Sequence, residues 1–242
     1  MFAAAGKHLL VEKPLALNER GARTMVSAAQ AAHVFFMEAM WSRFLPGYRI
    51  LSEVIADGEI GEPLVVEADF GFRAPMDEGH RLFNRELGGG ALLDLGIYPL
   101  NLCSMVLGVP DKIQATGVVG QTGVDEVVAA LLHHPNNSIG VVKAASRVGL
   151  ACTARISGSR GWIDLPAWMH DPRHLRVMGK RGDRVIEADY EGDGLRFEID
   201  EVHRCIAAGL VECPTMPAAE SIALAQRMDH IRGELGVTYP GE

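Results

Sequence analysis

HLLVEKPLALNERGARTMVSAAQAAHVFFMEA, residues 8–39, decides how the chain begins to fold. HLLVE, 8–12, is a short buried-strand pattern that follows a helix end and glycine stop in FAAAG, 2–6. Asn18 can cap a helix over about 19–32, and Val34, Phe35 and Phe36 form a second apolar run. A strand, a crossover helix and a strand make a parallel α/β unit. A four- or five-residue strand needs neighbours, so this opening reads as the middle of a fold.

After Met37 the texture changes. Residues 46–57 have helical spacing, 58–63 form a loop, and 63–73 alternate as a strand. Residues 74–90 lack periodicity and read as a long functional loop, followed by an apolar helix containing Asp94 and Tyr98. Strand patterns then recur at 112–121, 126–134, 138–148, 151–157, 161–165, 175–178 and 184–188, separated by short turns, which predicts an antiparallel sheet. Helices are predicted near 195–208 and 217–235. The expected fold class is α/β: the tail of a parallel α/β domain over 1–37, then an α+β domain over 38–242 with a large, mainly antiparallel open sheet. Helices should cover one sheet face, leaving the other to solvent or a partner.

Composition narrows the function classes. The 242 residues are 48% hydrophobic and 22% charged, which suits a globular chain with a sizeable core or two lobes. A net charge of -8 without a Lys/Arg run disfavours nucleic acid and anionic membranes as partners. Cys103, Cys152, Cys205 and Cys213 lie far apart in sequence with no C-x-x-C pair, so they read as reduced thiols, and no metal site is expected. Lys7 and His8 interrupt the opening apolar run, unlike a signal peptide. Asp94, Gly96, Tyr98 and Pro99 break up the longest apolar zone, 91–109, which argues against a membrane span. The expected location is cytoplasmic.

Three places could carry chemistry. Glu12, Lys13 and Pro14 follow the first strand, where open α/β sheets bind ligands; Lys13 would also pass as a surface lysine. Trp41 and Arg43 follow the second strand and could stack on or bond to a planar cofactor, or make an inter-domain contact. Asp94 and Tyr98 share a helix face after glycines 88–90, which would allow close backbone approach to a ligand. Asp94 also suits the helix dipole, and Tyr98 could be a core tyrosine. Pro99 should bend the helix. A phenol becomes a usable acid or base near neutrality when a cation stands beside it.

VEKPLALN, MEAMWSRFLP and GGGALLDLGIY, continued by TGVDEVVAALLHHP, ISGSRGWIDLP and GVTYP, together resemble the glucose–fructose oxidoreductase/inositol dehydrogenase (Gfo/Idh/MocA) family. The nearest likeness is to its dihydrodiol dehydrogenase branch. The resemblance covers essentially the whole chain. It implies an oxidoreductase that uses NAD or NADP, a Rossmann dinucleotide-binding domain, and a C-terminal sheet domain that forms homodimers. It implies hydride transfer to or from a secondary alcohol of a sugar, polyol or trans-dihydrodiol. Lys13 and Tyr98 would lie beside the nicotinamide and the reacting carbinol, Asp94 near the substrate hydroxyls, and Glu12, Pro14, Trp41 and Arg43 along the cofactor cleft. Many relatives carry histidine at the Tyr98 position. The family pattern opens with a strand and a glycine-rich G-x-G-x-x-[GA] turn, and nothing before Glu12 matches it. Roughly the first 80 residues of the pattern are absent, including the pyrophosphate turn. The first 37 residues therefore read as a Rossmann remnant, and NAD(P) is expected to bind the chain weakly or not at all. The alternative is a non-catalytic dimeric scaffold or ligand-binding remnant of the same family.

Overall fold

A computed structural model describes the whole chain, residues 1–242. It contains two compact units, each built from two segments: Met1–Leu45 with Glu191–Asp229, and Pro46–Tyr190 with His230–Glu242. The expected single cut after residue 37 is replaced by this interleaving. The cause is local packing in the first unit. The turn Trp41–Phe44 packs on the late helix Leu195–Ala207, and the backbone N–H of Phe36 donates to the carbonyl of Val211 at 3.0 Å.

In the first unit, β1 (Leu9–Glu12) and β2 (Phe36–Ala39) pair in parallel, Leu9 opposite Phe36 and Glu12 opposite Ala39. Helix α1 (Glu19–Ala31) links them, and the Asn18 side chain accepts the Gly21 N–H at 2.8 Å as the expected cap. Ala22, Val26 and Ala29 recur at helical spacing and pack with Leu15, Val34 and Phe36. The predicted second strand starts two residues later than its apolar run, and all four residues of β2 are buried.

In the second unit, α2 (Pro46–Ala56) precedes β3 (Pro63–Gly71), and α3 (Ile97–Leu107) precedes β4 (Lys112–Val119), β5 (Asp125–His133), β6 (Ile139–Ala145), β7 (Ala154–Gly158), β8 (Gly161–Leu165), β9 (His174–Gly179) and β10 (Gly182–Glu187). They form one eight-stranded sheet in the order β10-β9-β8-β7-β3-β6-β5-β4. Every neighbouring pair is antiparallel except β3–β6, which runs parallel with Val65 opposite Ile139. A parallel pair needs a long crossover, and the loop, α3, β4 and β5 together supply it. Two helices end the chain, α4 (Leu195–Ala207) and α5 (Ala218–Leu235). α5 begins in the first unit and ends in the second.

Helix α3 and the turn before it cover one face of the sheet. The stretch Arg85–Leu107 is long and apolar enough to cross a membrane by composition, with a mean hydropathy of 1.5, but it is 72% buried inside the protein. It is the core helix of the sheet. The opposite face carries Leu131, Val141, Glu67, Arg155, Asp164 and Arg176 in register across six strands.

Candidate active site

In the first unit, the carboxyl ends of β1 and β2 lie side by side because the strands are parallel. Glu12 is exposed there, and Lys13, Pro14 and Trp41 are half-buried. The Lys13–Pro14 peptide is cis. Glu38, on β2 and buried, holds the turn that follows: its Oε1 accepts the Leu15 N–H at 2.8 Å. Burial raises the Glu38 carboxyl above its ordinary value, opposed by the hydrogen bond from the Leu15 backbone and the charge of Arg43. The sequence reading passed over Glu38, although a glutamate inside an apolar strand was the available signal.

Arg43 does not stand open to a ligand. Its guanidinium is buried, donates to the Thr215 carbonyl at 3.1 Å and pairs with Glu220 at 3.2 Å. Burial lowers its pKa, opposed by Glu220. Arg43 ties the Trp41–Phe44 turn to the start of α5, while Trp41 and Lys13 are half-buried candidate residues of this unit. An ammonium and an indole at the ends of parallel strands fit a planar, amide-bearing ring with sugar hydroxyls, as in a nicotinamide nucleotide.

Glu198, on α4, is buried and its Oε2 has no hydrogen-bond partner. Burial, with a smaller contribution from the charge of Glu12, raises its pKa from 4.5 to about 7. An acid whose folded pKa lies above its unfolded value binds more protons when folded. Its stabilising contribution is therefore complete below about 4.5 and lost as pH rises through about 7. Glu198→Gln should flatten the stability profile across that window, which denaturant melts at stepped pH values would show; an unchanged slope would contradict the assignment.

In the second unit, Asp94 and Tyr98 lie on one continuous helix that widens into a π-turn over Leu92–Gly96 before α3 begins. The helix runs through Pro99, and the departure from regular geometry lies in this π-turn before it. Proline lacks the N–H that would bond the carbonyl four residues back and crowds that carbonyl, so the preceding turn opens. Glycines 88–90 serve the fold. Gly88 closes the short turn Arg85–Leu87 with φ 72°, and a Cβ on Gly89 would meet the carbonyls of Arg81, Asn84 and Leu82 at 2.7–2.9 Å. Gly90 has φ 126°, and a Cβ there would fall on the Asp125 carboxylate. The close approach read from the sequence is thus to the protein's own groups. Gly90→Ala should cost about 1–3 kcal/mol of stability, measurable by chemical denaturation; an unchanged midpoint would contradict it.

Asp125 anchors the helix start. Its Oδ2 accepts the Leu92 N–H at 2.7 Å, and burial raises its pKa to about 6 against that bond. The Tyr239 hydroxyl donates to the Gly89 carbonyl at 2.6 Å. On this anchored helix, Asp94 pairs with Arg81 of the 74–90 loop at 2.8 Å. That hydrogen bond holds the Arg81 guanidinium above its ordinary pKa. The Tyr98 ring is 6% exposed, lies edge-on to Phe70 at 5.5 Å and is tilted against His170 at 5.0 Å. His170 stacks on Phe70 at 4.4 Å, and Trp168, 55% exposed, lies 6.1 Å from both rings. Arg81, Trp168 and His170 were missed. They sit in loops without periodicity, and folding brings His170 to Tyr98, Trp168 to Phe70 and His170, and Arg81 to Asp94.

The expected residues thus fall into two groups: Glu12, Lys13, Pro14 and Trp41 in the first unit, Asp94 and Tyr98 in the second. The build is that of an α/β segment joined to an open-sheet domain whose core helix presents an acid and a phenol. The sequence profile of the GFO/IDH/MocA C-terminal domain matches residues 48–164. The trans-1,2-dihydrobenzene-1,2-diol dehydrogenase of Mus musculus is 39% identical over 98% of this chain and 73% of its own length. Among solved structures, the aldose-aldose oxidoreductase from Caulobacter crescentus, complexed with glycerol, superposes with a TM-score of 0.85 at 24% identity, over 96% of this chain and 71% of that one. A levoglucosan dehydrogenase in complex with NADH and levoglucosan gives 0.82 at 21% identity, over 97% of this chain and 73% of that one. The chain belongs to the Gfo/Idh/MocA family of oxidoreductases.

Proposed function

We propose that the chain oxidises a secondary alcohol with NAD or NADP as the hydride acceptor, and that the alcohol is carried on an unsaturated ring of the trans-dihydrodiol kind. The observation that carries the reading is the aromatic cluster that includes Tyr98: Phe70 and His170 lie against its ring and Trp168 lies against those two, offering ring faces and edges to a flat substrate, where a sugar would call for more hydrogen-bonding groups. The name of the mouse relative agrees with it.

The bound cofactor supplies the hydride chemistry, and the residues of this chain supply position and charge. Lys13 and Trp41 hold the nicotinamide side, with Glu12 and Pro14 shaping the turn around Lys13. The Tyr98 hydroxyl takes the proton from the reacting carbinol. Lys13 is the cation that the family resemblance assigns to the proton transfer. Asp94, kept in place by Arg81, binds the neighbouring hydroxyl of the diol. With NAD(P) in large excess, to offset the weak cofactor binding expected of this chain, purified protein should turn over a trans-dihydrodiol with a higher kcat/KM than a saturated cyclic diol or an aldose. Trp168→Ala should lower kcat/KM for the dihydrodiol by about 3–10-fold, the worth of one aromatic contact, and leave the aldose rate unchanged. Equal losses on both substrates would contradict the ring assignment.

The outward face of the sheet supports a homodimer. Val118, Leu131 and Ile139 are exposed on the β4–β6 side, and Trp162 is flanked by the guanidinium of Arg155 at 4.5 Å and of Arg176 at 5.5 Å. Light scattering should give twice 26.1 kDa, and Leu131→Asp should shift the protein to monomer. A monomer in the unsubstituted protein would contradict it. A cytoplasmic location fits the four unbridged cysteines.

A further inference from the structure

The four cysteines are scattered in sequence, but the fold brings two of them together. Cys205 lies on α4, one turn after Glu201 and on the same helix face. Cys213 lies in the turn that follows α4 and bridges to Met216. Both cysteines are fully buried. Each thiol stands 3.6 Å from the same atom, Oε1 of Glu201, and the three donor atoms lie within 4.8 Å of one another.

That spacing has a second meaning. A tetrahedral zinc-type cation sits about 2.3 Å from sulfur and about 2.0 Å from oxygen, which sets its sulfur–oxygen edges at about 3.5 Å. The two edges found here are both 3.6 Å. The carboxylate is already oriented from outside: Arg204 grips Glu201 through two bonds of 2.8 and 2.6 Å, and its Nη2 lies 3.6 Å from the Cys205 sulfur. Charged partners behind a ligand are what fixes and tunes a metal site. Two thiolates and one carboxylate around a divalent cation, with the Arg204 guanidinium beside them, leave the cluster neutral. The Glu201 side chain is 19% exposed, so water can reach a fourth position.

We propose that Glu201, Cys205 and Cys213 form a binding site for a thiophilic divalent cation of the zinc type. The cation replaces the two S–H protons, which pass to solvent, and forms two metal–sulfur bonds with no change of oxidation state. Bound there, it clamps α4 to the turn that follows. That turn carries the Thr215 carbonyl to which Arg43 donates. The site is therefore a structural clamp on the unit that holds Lys13 and Trp41, and it is independent of the proposed reaction.

The test uses the full chain, stripped with a chelator, reduced with a phosphine and titrated with Cd²⁺, whose bonds to thiolate give a charge-transfer absorption. The absorption should saturate at one cation per chain. Zn²⁺ should abolish it by competition and raise the melting temperature. Cys205→Ser and Cys213→Ser should each remove the band, Glu201→Gln should weaken affinity about tenfold or more, and Cys103→Ser and Cys152→Ser should leave it intact. The site is overturned by a folded unsubstituted chain that develops no band at millimolar Cd²⁺, by a band that survives in the Cys205→Ser/Cys213→Ser variant, or by an affinity unchanged in Glu201→Gln. The unsubstituted chain decides the matter even where a cysteine variant fails to fold.

Discussion

Tyr98→Phe should lower turnover by about 10²–10⁴-fold, the usual contribution of a positioned acid or base, while the protein stays folded. The substitution keeps the ring and hence its edge-on contact with Phe70 and its tilted contact with His170. Only the hydroxyl is lost. A structural tyrosine losing one hydrogen bond would cost about 0.5–1.5 kcal/mol of stability and leave turnover nearly intact. The two roles therefore separate in two measurements, kcat and a denaturation midpoint. A folded variant with near-normal kcat would remove Tyr98 from the chemistry and make Asp94 the next candidate base.

Lys13→Met should be the second-largest loss, about 10–100-fold in turnover near neutral pH. The family resemblance makes Lys13 the cation of the proton transfer, and removal of such a cation lets a phenol pKa rise by about 1–2 units. The alkaline limb of the rate profile should move upward by the same amount, so activity is partly recovered at high pH. Lys13 belongs to the first unit and Tyr98 to the second, so their cooperation is read from kinetics. The double variant should lose less than the product of the two single losses, because both residues serve one proton transfer. Fully multiplicative losses would mean that Lys13 acts only in cofactor binding. Arg81 pairs with Asp94 inside the same unit as Tyr98, so Arg81→Met should weaken substrate binding through Asp94 and leave the alkaline limb in place.

The local part of the fold is legible in the sequence. Strand–helix–strand order in the first 39 residues and the run of strand patterns after 112 depend on periodicity and turn residues, and the structure carries both. What depends on partners far along the chain is not legible. Nothing near Phe36 announces that residues 211–212 will join it, nor does the alternation of β3 announce a parallel neighbour in β6. Arg43 illustrates the same limit at a single side chain. Its placement after a strand suggested a ligand contact, but Glu220 and Thr215, far off in sequence, take up its guanidinium. Glycines 88–90 were recognisable as a close approach, while the groups approached, including Asp125, were not. The acid and the phenol stood out because a buried helix has few reasons to carry either. Trp168 and His170 did not, because an aromatic residue in a loop has no pattern to violate. Cys205 and Cys213 read as isolated for the same reason: one ends a helical face, the other sits in a turn, and only folding sets both against Glu201.

The most direct test of the account is the pH dependence of kcat/KM for NAD(P)-linked oxidation of a trans-dihydrodiol, measured on the unsubstituted protein and on Tyr98→Phe. The account predicts a rate that rises with pH through a single ionisation in the unsubstituted protein, and a flat, slow profile in Tyr98→Phe. A variant that keeps both the rate and the ionisation would contradict it.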